Sequence, residues 1–199
     1  MRVVKFREIK REIRILGVDD GSFIHGKGNR AEVIGVVFRG GHWMDGIMFT
    51  DIEVDGTDAT DRIVEMIVNS PHMGQVRVII TDGLTVGGFN VVDIASLFER
   101  TVIPVIAIAD KKPDLYEVKK ALKNFSDWEN RWNSILNAGE MIKINTHKDL
   151  NPLYIQIAGI SKKDAEEIIV KSATRSRIPE PLRVAHLIAS GITHHRNIL

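Results

Sequence analysis

The chain of 199 residues contains no cysteine, which excludes disulfide bridges, thiolate zinc sites and cysteine nucleophiles. It also lacks any apolar run near the ~20 residues that a membrane-spanning helix needs. Neither sign of charge dominates, because 27 Lys and Arg residues face 26 Asp and Glu residues. This balance excludes a strongly basic nucleic-acid coat, although it leaves room for a local basic patch. The first ten residues are too charged for a secretory signal, so we predict a cytoplasmic protein without a membrane partner.

The composition that remains is typical of a globular protein. Hydrophobic residues make up 44% of the chain and charged residues 27%, whereas a disordered chain would be less apolar and carry a larger net charge. The length suits one domain. We therefore predict a single domain over residues 1–199.

The order of apolar segments predicts an α/β fold. Three β-type runs at 13–18, 33–38 and 43–50 are separated by turn signals, which favours an antiparallel meander. Alternation of helix and strand follows, with helices at 57–68 and 91–99 and strands at 76–81 and 102–109. The strand–helix–strand unit makes the latter two strands parallel.

The chain beyond residue 110 is predicted to add one strand and four helices. The strand covers 153–158, and the helices cover 115–125, 127–137, 161–171 and a segment from 181 that ends before Gly191. A meander followed by alternating elements is typical of the ribonuclease-H-like arrangement. That arrangement has a mixed sheet with helices on both faces, and its fourth strand lies parallel beside the central first strand.

Two aspartates, Asp19 and Asp82, follow the first and fourth strands at their carboxyl ends. If those strands are neighbours, they lie ~4.8 Å apart, and the two carboxylates repel each other unless a cation lies between them. Mg²⁺ prefers such oxygen ligands and can activate water for phosphodiester cleavage. The alternative is a plain turn, since Asp-Gly at 82–83 is a common turn dipeptide. Asp20 competes with Asp19 but points to the opposite face of a regular strand.

Other candidate side chains each have two interpretations. The glycine-rich segment 83–88 precedes a predicted helix and either binds an anion or permits a tight connection. Arg177 and Arg183 suit phosphate contacts, but Glu180 between them also predicts an internal ion-pair cluster. His186 is either a metal-proximal base or an ordinary histidine on a helix face.

Three segments resemble endonuclease V, in the same order along the chain. They are Gly17-Val18-Asp19-Asp20-Gly21-Ser22-Phe23, the segment that begins at Asp82-Gly83, and Arg177-Ile178-Pro179-Glu180-Pro181-Leu182-Arg183-Val184-Ala185-His186. The chain is most similar to a mainly archaeal domain family of unknown function that is related to endonuclease V. The marks of that family are Gly-Val-Asp-Asp-Gly, Thr-Asp-Gly-Leu-Thr and Arg-Ile-Pro-Glu-Pro-Leu-Arg.

The resemblance implies a ribonuclease-H-like fold and a hydrolase dependent on Mg²⁺ (or Mn²⁺) that cuts a nucleic acid strand near a deaminated purine. Asp19 and Asp82 match the two metal-binding aspartates of endonuclease V. His186 matches its metal-proximal histidine.

The chain departs from endonuclease V at three places. The catalytic glutamate of endonuclease V is missing here, and Asp58 or Asp61 is the candidate substitute. Asp58 is preferred because it is nearer the strand ends. The alternative is that both acids stabilise the first turn of a helix. The Pro-Tyr-Ile-Pro-Gly wedge that separates DNA strands is absent. The lysine after the fifth strand is replaced by Asp110, and we expect Lys111, Arg177 and Arg183 to lie near the phosphate.

Three functions remain open on these grounds. The first is a metal-dependent nuclease with Asp19, Asp82 and Asp58 as ligands, His186 beside the metal, and DNA or RNA as its partner. The second is a non-catalytic nucleic-acid-binding or regulatory relative. The third is a metal-dependent enzyme acting on a nucleotide-sized phosphorylated substrate.

Overall fold

The computed structural model describes residues 2–26 and 28–196, and the side chains of these residues up to 192. The strands within these ranges are β1 (Arg14–Asp20), β2 (Arg30–Arg39), β3 (Trp43–Glu53), β4 (Val78–Asp82), β5 (Thr85–Val86), β6 (Asn90–Val91), β7 (Val105–Ala109), β8 (Ile142–Ile144) and β9 (Leu153–Ala158). The helices are α1 (Ala59–Val68), α2 (Ile94–Thr101), α3 (Leu115–Leu122), α4 (Trp128–Asn137), α5 (Lys162–Ser172) and α6 (Glu180–Arg196).

The main sheet of the described residues has seven strands in the order β3-β2-β1-β4-β7-β9-β8. The first three strands form the predicted antiparallel meander. β4 lies parallel to both β1 and β7, and β9 returns antiparallel to β7. The predicted mixed sheet with a central first strand and a parallel fourth strand beside it is therefore confirmed.

Apolar side chains cover both faces of the sheet, because successive strand residues point to opposite sides. Leu16 and Val18 of β1 belong to a core shared with α1 and α2. Ile15 of β1 belongs to a second core shared with α5 and the start of α6. A smaller cluster continues under α6, where Ala185 and Ala189 contact β2. β1 and β4 are thus enclosed from both sides, and only their ends reach the molecular surface.

Several boundaries differ from the prediction. The predicted helix at 91–99 begins at Ile94, because the Asp93 carboxylate accepts hydrogen bonds from the backbone N–H groups of Ala95 and Ser96. The predicted strand at 102–109 begins at Val105, since Val102 has a φ of 59° that ends α2 in a left-handed conformation. The last helix does not end before Gly191 but continues to Arg196, as one glycine costs a helix only about 1 kcal/mol. None of the helices in the described residues is long and apolar enough to cross a membrane.

Candidate active site at the carboxyl ends of β1 and β4

The two predicted aspartates meet at one edge of the sheet. Gly17 pairs with Ile80 and Val18 pairs with Thr81 across the parallel strands. Asp19 and Asp82 follow these pairs and project toward the face that α5 and α6 cover, since side chains alternate with a period of two. The predicted neighbouring positions of these two strand ends are therefore observed, and the metal-ligand roles of both aspartates stay predictions.

The Asp82–Gly83 segment is a tight turn built by its neighbours. The Thr81 hydroxyl donates a hydrogen bond to the Gly83 carbonyl at 2.7 Å, and the Gly83 backbone N–H donates to the Ile108 carbonyl at 2.7 Å. Gly83 has a φ of 67°, which only glycine adopts without strain. This turn leaves Asp82 at the solvent-accessible end of β4.

His186 contacts the first aspartate directly. Its Nδ1 lies 2.8 Å from the Asp19 Oδ2, and Asp19 is only 2% exposed. The imidazole itself is 63% exposed, so its other nitrogen faces solvent. Of the two interpretations of His186, this geometry favours a residue of the site over an ordinary histidine on a helix face.

The position of His186 depends on how closely α6 approaches β1. A Cβ on Gly17 would lie 2.2 Å from the Pro181 carbonyl carbon, far inside any allowed contact. The absence of that Cβ lets the first turn of α6 rest on the β1 backbone. Two of the motifs that were noted in the sequence are therefore in contact.

The carboxylates at this edge repel one another. Burial, together with repulsion from Asp82 and Asp20, raises the pKa of Asp19 to about 7, although His186 acts in the opposite direction. Loss of hydration raises the pKa of Asp82, and repulsion from Asp20 and Asp110 adds to this, against the opposing effect of His186. Such a cluster gains stability from a cation, and its oxygen donors suit Mg²⁺ or Mn²⁺.

The glycine-rich segment 83–88 binds a carboxylate of the protein itself, that of Asp20. The segment forms part of a hairpin of β5 and β6, which could not be predicted from the sequence because each strand has only two residues. The Gly87 backbone N–H donates to the Asp20 Oδ2 at 2.7 Å. Burial raises the pKa of Asp20, and this hydrogen bond opposes the shift. Asp20 is thus held close enough to act on both Asp19 and Asp82.

Asp58 lies in a different environment from the one predicted. Its Oδ1 accepts hydrogen bonds from the Asn90 side chain at 2.7 Å and from the Glu53 backbone at 3.1 Å, and its Oδ2 lies 3.6 Å from the Arg30 guanidinium. Within the described residues, no contact joins Asp58 to Asp19 or Asp82. This side chain connects the start of α1 to the end of β3 and to Asn90, and its role as third carboxylate stays a prediction.

Asp61, the other candidate, forms an ion pair with Arg100 and is 64% exposed. A search of the described residues finds no group of three or more His, Asp or Glu side chains already arranged to hold a metal ion. The site therefore offers two aspartates on one face, with Asp20 as the neighbouring carboxylate.

The arginines of the C-terminal motif form ion pairs. Arg183 Nη2 lies 2.7 Å from the Oε2 of Glu180, whose side chain is 5% exposed. Arg177 pairs with Asp110, directly after β7. The ion-pair interpretation is thus the observed one, while Lys111 is exposed.

A cavity of about 180 Å³ that was not predicted from the sequence lies beside Gly83, on the other face of the sheet. Its wall includes Gln156 of β9, a buried polar residue. The available signal was a single amide within the otherwise apolar run of 153–158.

Comparison with known proteins gives a consistent family. A family model described as Endonuclease dU matches residues 11–193. A UPF0215 protein of Methanothermobacter thermautotrophicus is 55% identical over 189 residues, which cover 94% of this chain and 91% of that protein. A UPF0215 protein of Pyrococcus furiosus is 39% identical over 188 residues, which cover 94% of this chain and 95% of that protein. The predicted resemblance is confirmed.

Solved structures give the same fold. A protein of unknown function from Archaeoglobus fulgidus aligns with a TM-score of 0.79 and 36% identity, over 90% of this chain and 97% of that chain. Human ENDOV aligns with a TM-score of 0.66 and 19% identity, over 100% and 92%. Endonuclease V of Ciona intestinalis, in complex with a 24mer DNA that contains an inosine, aligns with a TM-score of 0.60 and 15% identity, over 94% and 87%.

Proposed function

Because the chain belongs to the Endonuclease dU family, we propose that it is a divalent-metal-dependent endonuclease that cuts DNA at deoxyuridine. The observation that supports this most strongly is the pair Asp19 and Asp82 on one face of the sheet edge, with His186 bonded to the buried Asp19. The family's description supports uracil in place of the deaminated purine, and the resemblance to endonuclease V supports a Mg²⁺-dependent cut.

The residues present fit a divalent ion. Asp19 and Asp82 would hold Mg²⁺ or Mn²⁺, and Asp20 rather than Asp58 supplies the further negative charge, since its repulsion acts on both aspartates. When bound, the ion would polarise a water molecule and neutralise charge on the phosphate.

The protein's own groups have separate roles in this proposal. Asp19 orients the imidazole of His186 through Nδ1, which leaves the exposed Nε2 able to exchange a proton with water or with a phosphate oxygen. Arg177, Arg183 and Lys111 are proposed to approach the DNA backbone. Arg177 is tied to Asp110 at the same sheet edge as Asp82, so it is the arginine best placed for this contact.

The proposal is tested with a DNA oligonucleotide that carries one deoxyuridine, incubated with Mg²⁺ or Mn²⁺. We expect the wild type to nick it, and Asp82→Asn to lower the rate at least about 100-fold, because the metal loses a charged ligand. Asp61→Asn is the matched control, since this exposed aspartate lies in an ion pair elsewhere, and it should cleave like the wild type. Equal rates for wild type and Asp82→Asn would reject the assignment.

A second candidate function is binding of nucleic acid without cleavage. The arrangement that favours it is the engagement of Asp58 with Asn90, which leaves the described residues without a ready-made cluster of three metal ligands. Such a protein would bind DNA with an affinity that falls as salt rises. It would show no metal-dependent turnover on uracil-containing, inosine-containing or unmodified strands, so the same assay separates the two functions.

A further inference from the structure

The cavity beside the candidate active site lies on the opposite face of the sheet from the carboxylates. Thr81, Ala107 and Gln156 are register partners on three neighbouring strands, so they share one face of the sheet. Asp82, one residue further on, points to the other face. The cavity wall begins at Gly83. The cavity and the carboxylates therefore lie on opposite faces of the same sheet edge, separated by the Asp82–Gly83 turn.

The cavity is largely apolar and has the size of a single ring. Its walls include Leu84, Pro113, Val118, Ile135 and Met141, contributed by the turn after β4 and by the segment that carries α3 and α4. Its volume is about 180 Å³, and cavities of roughly 150 Å³ in other proteins accommodate benzene. A planar six-membered heterocycle therefore fits, provided that the wall offers it a hydrogen-bond partner.

Gln156 is positioned to be that partner. The residue is 6% exposed, and its Nε2 donates a hydrogen bond to the Gly139 carbonyl at 2.8 Å. The Gly139 carbonyl can accept a hydrogen bond only from the NH₂ group of the Gln156 side chain, so this bond fixes the positions of Nε2 and Oε1. No residue in the described ranges donates a hydrogen bond to its Oε1. The buried side-chain atoms that lack a partner in the described residues do not include this Oε1, so it keeps accessible surface in the cavity wall and suits a ligand with an N–H group.

We propose that this cavity takes the pyrimidine base of the target nucleotide and that Gln156 selects uracil over cytosine. Uracil carries a hydrogen on N3 that the Gln156 Oε1 can accept. Cytosine presents a lone pair at N3, which would face the Oε1 lone pairs without a hydrogen between them. This inference rests on the proposed function and identifies the N3 hydrogen of uracil as the group that the protein recognises. The base reaches the cavity after it leaves the helical stack, as with other enzymes that read single bases.

The proposal separates two kinds of discrimination. Thymine has the same N3–H as uracil, so Gln156 does not distinguish these two bases. Loss of the Gln156 oxygen should therefore change the uracil-to-cytosine preference and leave the uracil-to-thymine preference as it was. A residue with a merely structural role would alter both preferences together.

The test measures competitive binding of single-stranded oligonucleotides that differ in one central base, in EDTA so that no cleavage occurs. For Gln156→Met we expect the uracil-to-cytosine preference to fall at least about tenfold, as unpaired polar groups are the main source of such discrimination, with an unchanged uracil-to-thymine preference. Leu136→Ala, which alters an exposed residue of α4 outside the cavity wall, should keep both preferences. A Gln156→Met protein with the wild-type uracil-to-cytosine preference would overturn the assignment, and so would a parallel fall in both preferences.

A second measurement needs no variant. An oligonucleotide with N3-methyluracil lacks the hydrogen that Gln156 is proposed to accept, and the wild-type protein should bind it no better than the cytosine oligonucleotide. Binding as tight as that of uracil would contradict the proposal. Cleavage is scored separately on the deoxyuridine substrate. If uracil selectivity depends on Gln156 but the protein never cleaves DNA, the endonuclease proposal is rejected and the cavity assignment is kept. If the protein cleaves the deoxyuridine substrate but its uracil selectivity does not depend on Gln156, the cavity assignment is rejected and the endonuclease proposal is kept.

Discussion

At the scale of single residues, the candidate site is built on one buried carboxylate and its imidazole partner. Asp19 has almost no exposed surface, and its hydrogen bond to His186 joins positions 19 and 186 of the chain at 2.8 Å. An isolated buried carboxylate is unfavourable when charged. The charged form of the Asp19 carboxylate therefore lowers the stability of the folded protein, and such a conflict is common at functional sites.

The raised pKa of Asp19 predicts a pH-dependent stability. Its value of about 7 in the folded protein exceeds the ordinary 3.8. The stability contributed by the protonated Asp19 is therefore fully present below about pH 4 and is lost as the pH rises through 7. Asp19→Asn removes the buried charge, and each pKa unit is worth about 1.4 kcal/mol. We expect the metal-free variant to be more stable than the wild type by ~1–4 kcal/mol at pH 8 and nearly equal to it at pH 4.

Urea unfolding in EDTA at the two pH values measures this difference. Asp61→Asn is the control, because an exposed ion pair such as that of Asp61 contributes at most about 1 kcal/mol. A gain for Asp19→Asn that is the same at pH 4 and pH 8 would show that the Asp19 charge is not the cause.

At the scale of elements, the site depends on how α6 lies against β1. The first turn of α6 contacts the β1 backbone at Gly17, where a Cβ would overlap Pro181. The same helix carries His186 to the end of β1 five residues later. A change in this packing distance must therefore move the imidazole relative to Asp19.

Gly17→Ala tests this relation. The added methyl group has no space, so we expect a loss of ~1–3 kcal/mol or more in the free energy of unfolding and at least about a tenfold loss of cleavage rate. Gly74→Ala is the matched control, since nothing lies within 4 Å of a Cβ at that position, and it should be close to neutral. Similar stability and cleavage for the two variants would argue against the contact between α6 and β1.

The elements that could be predicted are those with long periodic patterns. The meander, the β4–α2–β7 unit and α5 follow from apolar runs and caps, such as Ser161, whose side chain accepts from the Asp164 backbone N–H. The β5–β6 hairpin and β8 have two or three residues each, too few to show a period. The end of α6 was misjudged because Gly191 acts as a terminator only when the next residues cannot continue the helix.

At the scale of the whole molecule, the sheet order gathers groups that are distant in sequence. Asp19, Asp82 and His186 could be placed from the sequence because each belongs to a recognisable segment next to a strand or helix end. The environment of Asp58 could not, since it depends on Asn90, 32 residues away. The loop before Asp58 is also fastened by the buried Arg131, which donates to the carbonyls of Asp55 and Gly56. Such long-range contacts leave no local pattern.

The same limit applies to the cavity. Its walls come from the turn after β4, the segment of α3 and α4, and β9, and no local pattern in the sequence joins these parts. Gln156 stands out only when the neighbouring strand order is known. The combination of a carboxylate pair on one face and a ring-sized cavity on the other is a property of the assembled sheet edge.

The most direct test of the proposed metal centre is a crystal structure of the wild-type protein soaked with Mn²⁺ and measured at a wavelength where manganese scatters anomalously. Metal binding by both aspartates predicts an anomalous peak between the carboxylates of Asp19 and Asp82, with oxygen ligands at about 2.0–2.2 Å as for hard divalent ions of this size, and no such peak in Asp82→Asn crystals treated alike. A saturating soak that leaves this position without a peak in the wild type would contradict the proposed metal centre.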